Sequence, residues 1–424
     1  MEDRRSMSIG IFKTLSKREF FFIIVSYIYI LYCVFPLFSY YVPLDVQTIC
    51  VGTTVLLVSL YPKSLFNKPM FWLFIYLLIL LVYTLAGRYI HVNGVSNFTL
   101  PASSRILIQG AWVIPSLMIA SILCRSKKEN LFKIIGIGSL IILLISYIYI
   151  LPLLSISSNI LRDGLFSESE LHRPGLPDYT LMHSYVLLLP GICLAIKLGR
   201  TKWRVIFAII LALTYFIILK TEVSTSIGVS SIFILYVFII QKKSSNKTII
   251  LLSLGLLLFA VVYYSGLLLT IVDSLLPHFQ GTAVELKLRD ISNSLSSGSM
   301  TGETLEVRAE RHDLSRNSFL QNPIFGIGTD EVGRHSHVLD ILGSMGLFAF
   351  IPFFMIIWTT LKMYLPYSNS RISNLMLYSC FIIAGVFLYS KGIFGSTGWL
   401  FMCVIAPSLV IAINYSHNIK KHTS

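Results

Sequence analysis

Charge is scarce in this chain: Asp, Glu, Lys and Arg make up 13% of 424 residues, against 55% hydrophobic residues. So thin a charge complement excludes an ordinary soluble domain and a disordered solvated chain. Cysteine is sparse too. The six, Cys33, Cys50, Cys124, Cys193, Cys380 and Cys403, all fall within or at the ends of apolar runs, and no C-x-x-C spacing occurs. They read as packing residues and imply neither a disulfide framework nor a zinc site. Dense carboxylate clusters are missing, so no metal cage is expected, and no cofactor. The first apolar run, Phe20 to Phe38, follows Arg4, Arg5, Lys13, Lys17 and Arg18 and has no small-residue cleavage site after it. It reads as an uncleaved signal anchor.

Apolar runs are what the chain has in quantity. Stretches long enough to cross about 30 Å of hydrocarbon recur throughout, near 20–38, 46–61, 70–87, 106–124, 132–151, 179–197, 205–219, 225–240, 248–269, 339–361, 374–390 and 398–415. The expected fold is an all-α polytopic integral membrane protein of about twelve transmembrane helices. With the N-terminus placed in the cytoplasm, the inner connections hold 22 of the 34 Lys and Arg residues, and the remaining segments hold 16 of the 20 acidic residues. That asymmetry follows the retention of cations on the cytoplasmic side, so the net charge of +14 is a topology signal. Both termini fall in the cytoplasm on this reading. No basic-aromatic platform stands outside the spans, so nucleic acid is not an expected partner, whereas membrane lipid is.

Two outer segments exceed what a connection needs, which divides the chain into 1–272 (nine spans, with a smaller loop at 152–178), a large loop at 273–338, and 339–424 (three spans and a tail). The smaller loop carries Arg162, His172 and Arg173, and its Arg-Pro-Gly-Leu-Pro run favours extended or turn backbone. Loops as long as the larger one are usually functional or disordered. Its serine-rich first half reads as a loose connection. Its second half, from Thr304 to Gln321, favours a helix that sets Arg308, Arg311, His312 and Ser315 on one face at i, i+3, i+4 and i+7. Asn322-Pro323 stops that helix, a Pro-Ile-Phe-Gly-Ile-Gly turn follows, and His335 stands at the mouth of the tenth span with His337 two residues on.

Arginine offers a fixed planar fork to phosphate oxygens, and histidine titrates near neutrality. Several arginines beside a histidine suit transfer from a lipid-linked diphosphate to an alcohol, with the imidazole taking the hydroxyl proton. The competing readings are a solvated helix face, with Arg308, Arg311 and Arg316 paired to Glu306, Glu310 and Asp313, and an interfacial histidine.

The run from Arg308 through Asn322-Pro-Ile-Phe-Gly-Ile-Gly328 to His335-Ser-His-Val-Leu-Asp-Ile-Leu-Gly-Ser-Met-Gly346 resembles the signature of the bacterial O-antigen polymerase and O-antigen ligase superfamily. In that signature an Arg precedes a Pro-Leu-x-Gly-x-Gly turn and a His-(Asn/Ser)-x-x-Leu run ending on Gly. About forty residues carry the motif, and the span plan extends the likeness to most of the chain. The resemblance implies a GT-C-like, inverting, metal-independent glycosyltransferase, its large periplasmic loop containing short helices. It would join undecaprenyl-diphosphate-linked oligosaccharide repeat units at the periplasmic face of the bacterial inner membrane. A chain-length regulator and a flippase are the implied partners. By position His335 matches the family's essential histidine and Arg308 its loop arginine, while Arg173 resembles the arginine before a Gly-Pro-rich entry to the next span. Arg162, Arg311 and His337 are further candidates for the diphosphate. One departure is the run Lys220-Thr-Glu-Val-Ser-Thr-Ser226, where family members carry an Arg; Lys220 supplies charge without a fork. The Ser336 and Asp340 form of the motif favours the polymerase. The alternatives are a ligase transferring polymer to lipid A core, with the same residues, and a transporter or flippase of a lipid-linked glycan, which would hold its charges near the midplane.

Overall fold

The computed structural model describes residues 15–42, 44–86, 102–156, 179–221, 224–239, 265–280, 283–297, 303–329, 332–333, 335–368, 370–390 and 395–414. In chain order the helices are α1 (Lys17–Val34), α2 (Pro36–Tyr41), α3 (Val46–Leu60), α4 (Lys68–Leu85), α5 (Ala102–Ser126), α6 (Glu129–Ile156), α7 (Tyr179–Leu198), α8 (Thr201–Lys220) and α9 (Ser224–Ile239). They continue as α10 (Leu267–Leu275), α11 (Ala283–Ser297), α12 (Glu303–Gln321), α13 (His337–Lys362), α14 (Ser370–Ser390), α15 (Ser396–Leu400) and α16 (Ala406–Asn414). Among the described residues there is no strand.

Among the described residues, seven helical stretches are long and apolar enough to cross a membrane: Lys68–Leu85, Glu129–Leu154, Leu181–Leu198, Thr201–Lys220, His337–Tyr367, Arg371–Ser390 and Ser396–Asn414. Val46–Leu60, Gly110–Ser126 and Thr225–Phe238 are apolar but shorter. The chain is therefore an all-α, membrane-embedded protein. Of the expected ninth span, residues 248–264 lie outside the described ones. Its last three residues open α10, which starts after Gly266 at φ 73°.

Burial separates inner helices from lipid-facing ones. The Ser396–Asn414 window is 94% buried and the Leu181–Leu198 window 83%, against 28% for α4 and α8, so α7 and the α15–α16 pair form the centre. Small residues let them approach. A Cβ on Gly191 would lie 2.7 Å from Ala406 Cα, the close backbone packing by which helices associate without a hydrophobic driving force between them. A π turn at Phe401–Ile405 joins α15 to α16. Polar links inside the bundle run between side chains, Tyr147 to Thr214 at 2.8 Å, or onto backbone, Ser146 donating to the Val34 carbonyl at 2.7 Å.

Caps fix the helix starts. Ser16 and Glu19 form a reciprocal capping box on α1, and Glu19 also pairs with Lys128 at 2.7 Å. Asn67 caps α4, and Ser336 caps α13 through the Leu339 amide.

The tenth expected span, 339–361, is not one helix. Inside α13, Gly346 sits at φ 64°, ψ −164°, a conformation essentially reserved for glycine. The break frees backbone groups on both sides of it. The Pro323–Gly328 turn takes them up: Ile327 N–H donates to Gly343 O at 2.9 Å and Gly328 N–H to Ser344 O at 2.8 Å, while Leu347 N–H donates to Pro323 O at 2.9 Å and Phe348 N–H to Ile324 O at 3.0 Å. A Cβ on Gly346 would run into the Ile324 carbonyl. Tyr83, at the end of α4, donates to the Phe325 carbonyl at 2.5 Å and holds the turn from the other side.

The large loop is mostly helical. The helix expected over 304–321 is α12, and it lies along the first half of α13. The serine-rich half differs from expectation: Ala283–Ser297 is helical as α11. A Glu285–Arg289 pair at 2.7 Å supports its first turns, and Ser294 turns its hydroxyl back onto the Asp290 carbonyl at 2.7 Å.

Candidate functional site

The face expected on α12 exists, rotated slightly. Ser315 is buried, His312 and Arg308 are half-buried, and Arg311 is exposed. The seam between α12 and α13 explains that rotation. Ser315 Oγ donates to Asp340 Oδ1 at 2.7 Å and accepts from the Gly333 amide at 2.8 Å, so one hydroxyl ties α12, the residue-333 turn and α13 together. Asp340 is 3% exposed, which is possible for a carboxylate only because it is hydrogen-bonded there. A Cβ on Gly343 would lie 2.8 Å from the Ser315 carbonyl, so the helices meet backbone to backbone at that level.

His335 stands one residue before the Ser336 cap and is half-buried. Its ring lies 5.6 Å from that of His312, at 41°. His312 also meets the Tyr389 ring edge-on at 5.7 Å, which brings the end of α14 to the cluster. Although His312 is half-buried as a residue, its Nε2 is inside and has no hydrogen-bond partner among the described residues. Burial pushes its pKa below the ordinary histidine value of 6.5; Asp340 pulls it up, Arg308 pushes it down and Asp313 pulls it up, with a net lowering. A neutral imidazole therefore lies beside His335 at neutral pH.

The arginines separate by their partners. Arg316 pairs with Asp313 at 3.2 Å and is exposed, the solvated-face arrangement. Arg308 and Arg311 form no ion pair with a described residue. Arg308 lies one turn before His312 on the same side of α12, close enough to act on its titration.

The other sequence candidates lie elsewhere. His337 is 5% exposed and packs its ring 4.9 Å from that of Phe353. It lines a separate cleft with Tyr76, Trp112 and Trp399. Two residues along a chain entering a helix is enough to reverse a side chain's direction. Lys220 ends α8, its ammonium 5.8 Å from the Phe216 ring centroid, on a helix that packs against α7, α6 and α9. Arg162 and Arg173 lie outside the described residues, and α6 runs to Ile156, taking the first residues assigned to their loop into a helix.

His312 is the member of the cluster that sequence reasoning placed on the right face without giving it a role. The signal was its spacing from Arg308 and Ser315. Its approach to His335 depends on the docking of α12 onto α13, which no spacing reveals. Among the described residues no group of three or more His, Cys, Asp or Glu side chains is arranged to hold a metal ion. Comparison with protein-family models and with curated proteins gives no match.

Proposed function

We propose that this chain is a membrane glycosyltransferase that joins undecaprenyl-diphosphate-linked repeat units at the periplasmic face of a bacterial inner membrane, as an O-antigen polymerase does. The observation that carries the reading is the convergence of His335, His312 and Arg308 where α12 docks onto the broken span α13. The resemblance of Arg308 to Gly346 to the polymerase and ligase signature supports it. The seven long apolar helices support the membrane setting; a span count near twelve with both termini cytoplasmic is part of the proposal and rests on the placement of Lys and Arg in the sequence.

In this mechanism the terminal hydroxyl of one lipid-linked unit attacks the anomeric carbon of the chain on a second lipid diphosphate. A carbon–oxygen bond forms with inversion as the bond to the diphosphate breaks. His335 accepts the hydroxyl proton, a step typically worth about 10²–10⁴-fold. Arg308 meets the charge that grows on the departing diphosphate, where a fixed cation in a partly dehydrated site acts most strongly. Arg311, more exposed, supplies charge at the rim. A chain-length regulator and a flippase are the partners that the family resemblance implies.

A gel of surface polysaccharide from a strain lacking the gene, complemented with wild type, His335→Ala, Arg308→Lys or Arg316→Ala, tests the reading. The expected result is lipid A core bearing a single repeat unit in the null and in His335→Ala, shortened or sparse polymer in Arg308→Lys, and a normal ladder in Arg316→Ala. Bare core with polymer held on undecaprenyl diphosphate would make the protein a ligase. An unchanged ladder in the null would remove both readings.

A further inference from the structure

The His312 ring is built into the cluster more firmly than a helix-surface residue needs to be. It lies between His335 at 5.6 Å and Tyr389 at 5.7 Å, rings supplied by the turn before α13 and by the end of α14. Its Nε2 is buried with no partner among the described residues. A buried polar nitrogen left without a partner costs free energy comparable to a lost hydrogen bond, and native proteins accept that chiefly where a ligand or water completes it. Arg308, four residues earlier on the same side of α12, forms no ion pair with a described residue. A cationic fork with no ion pair and a ring nitrogen with no hydrogen-bond partner among the described residues thus lie one helical turn apart on the same side of α12, near enough for one to act on the other.

We propose that His312 is a substrate-contacting residue, its Nε2–H donating a hydrogen bond to an oxygen of the diphosphate that Arg308 grips. This inference rests on the functional reading above and deepens it. The division of labour follows from charge. His335 must carry a proton after the hydroxyl is deprotonated, and two imidazolium rings 5.6 Å apart beside an arginine would repel one another. A neutral donor orients the diphosphate without that repulsion, and burial and Arg308 keep His312 neutral. No bond is made or broken at His312.

The test uses the full chain in lipid nanodiscs, with undecaprenyl diphosphate as probe and inorganic diphosphate as competitor, for wild type, His312→Phe and His312→Gln. Phenylalanine keeps the ring packing against His335 and Tyr389 and removes the donor, whereas glutamine restores an amide donor at similar reach. The expected result is about tenfold weaker binding for His312→Phe, the loss of one hydrogen bond to a charged group, with recovery to within about threefold for His312→Gln. Inorganic diphosphate should compete at the wild type. Binding by His312→Phe as tight as wild type, or tighter than by His312→Gln, would overturn the role of His312 and leave the proposed function standing. Failure of inorganic diphosphate to compete would overturn the diphosphate as the group contacted. Failure of the wild type to bind the lipid diphosphate would overturn the functional reading itself.

Discussion

Replacing Gly346 by alanine should undock the Pro323–Gly328 turn from α13. At φ 64°, ψ −164° a side chain costs about 1–3 kcal/mol in backbone strain alone. The added Cβ would also collide with the Ile324 carbonyl and press on the Gly326 amide. The two hydrogen bonds nearest the collision, Leu347 to Pro323 and Phe348 to Ile324, are then lost, at about 0.5–1.5 kcal/mol each. Together these give about 2–6 kcal/mol against the docked state, and at about 1.4 kcal/mol per tenfold the docking equilibrium falls at least about thirtyfold. Hydrogen exchange read by mass spectrometry on peptides covering 323–328 and 343–348 measures this directly, since the amides of Ile327, Gly328, Leu347 and Phe348 make the docking bonds. Gly385→Ala is the control: it lies in helix α14 with nothing within 4 Å of an added Cβ, and alanine there should be neutral or up to about 1 kcal/mol stabilising. Unchanged exchange at 323–328 in Gly346→Ala, or an equal rise in both variants, would refute the account of the break.

Two further outcomes follow from the α12–α13 seam. Ser315→Ala should lower the melting temperature in detergent, because the buried Gly333 amide loses its acceptor and Asp340 loses a 2.7 Å donor; the amide alone costs about 1–3 kcal/mol. An unshifted melting curve would mean the hydroxyl does not hold the seam. The lowered pKa of His312 also makes stability pH-dependent: between that pKa and 6.5 the unfolded chain binds a proton that the folded one refuses, so stability falls as pH drops through that window and is level above it. His312→Phe should flatten this slope in melting scans from pH 7.5 to 5, and a slope identical to wild type would count against the assignment.

Much of this architecture is legible in the sequence, for physical reasons that also mark where legibility ends. The spans are visible because hydrocarbon demands long apolar runs, and α12 because its polar residues repeat at helical spacing. The Pro-Ile-Phe-Gly-Ile-Gly turn announces itself through proline and glycine. The break at Gly346 does not, since a glycine inside an apolar run reads equally as a packing site such as Gly191, and only the partners gathered around it tell the two apart. His335 stands out in the sequence through its motif, and the fold sets it directly before the α13 cap. The pairing with His312 does not stand out, because it is set by a hydroxyl, Ser315, that looks like any surface serine until its neighbours are known. For His337, proximity in sequence to His335 conceals that the fold sets it along another cleft.

The turn that docks on α13 bonds to both pieces of the broken helix, to Gly343 and Ser344 before the break and to Leu347 and Phe348 after it. It therefore acts as a splint. A glycine at Gly346 would ordinarily be a swivel, letting the first piece, with its seam to α12, turn independently of the piece packed on α4. With the splint in place, and with Tyr83 of α4 bonded to the turn itself, torque applied to α12 passes into the membrane-embedded bundle rather than being absorbed at the break. His335 directly precedes the Ser336 cap of the first piece, so whatever steadies that piece steadies His335 with it.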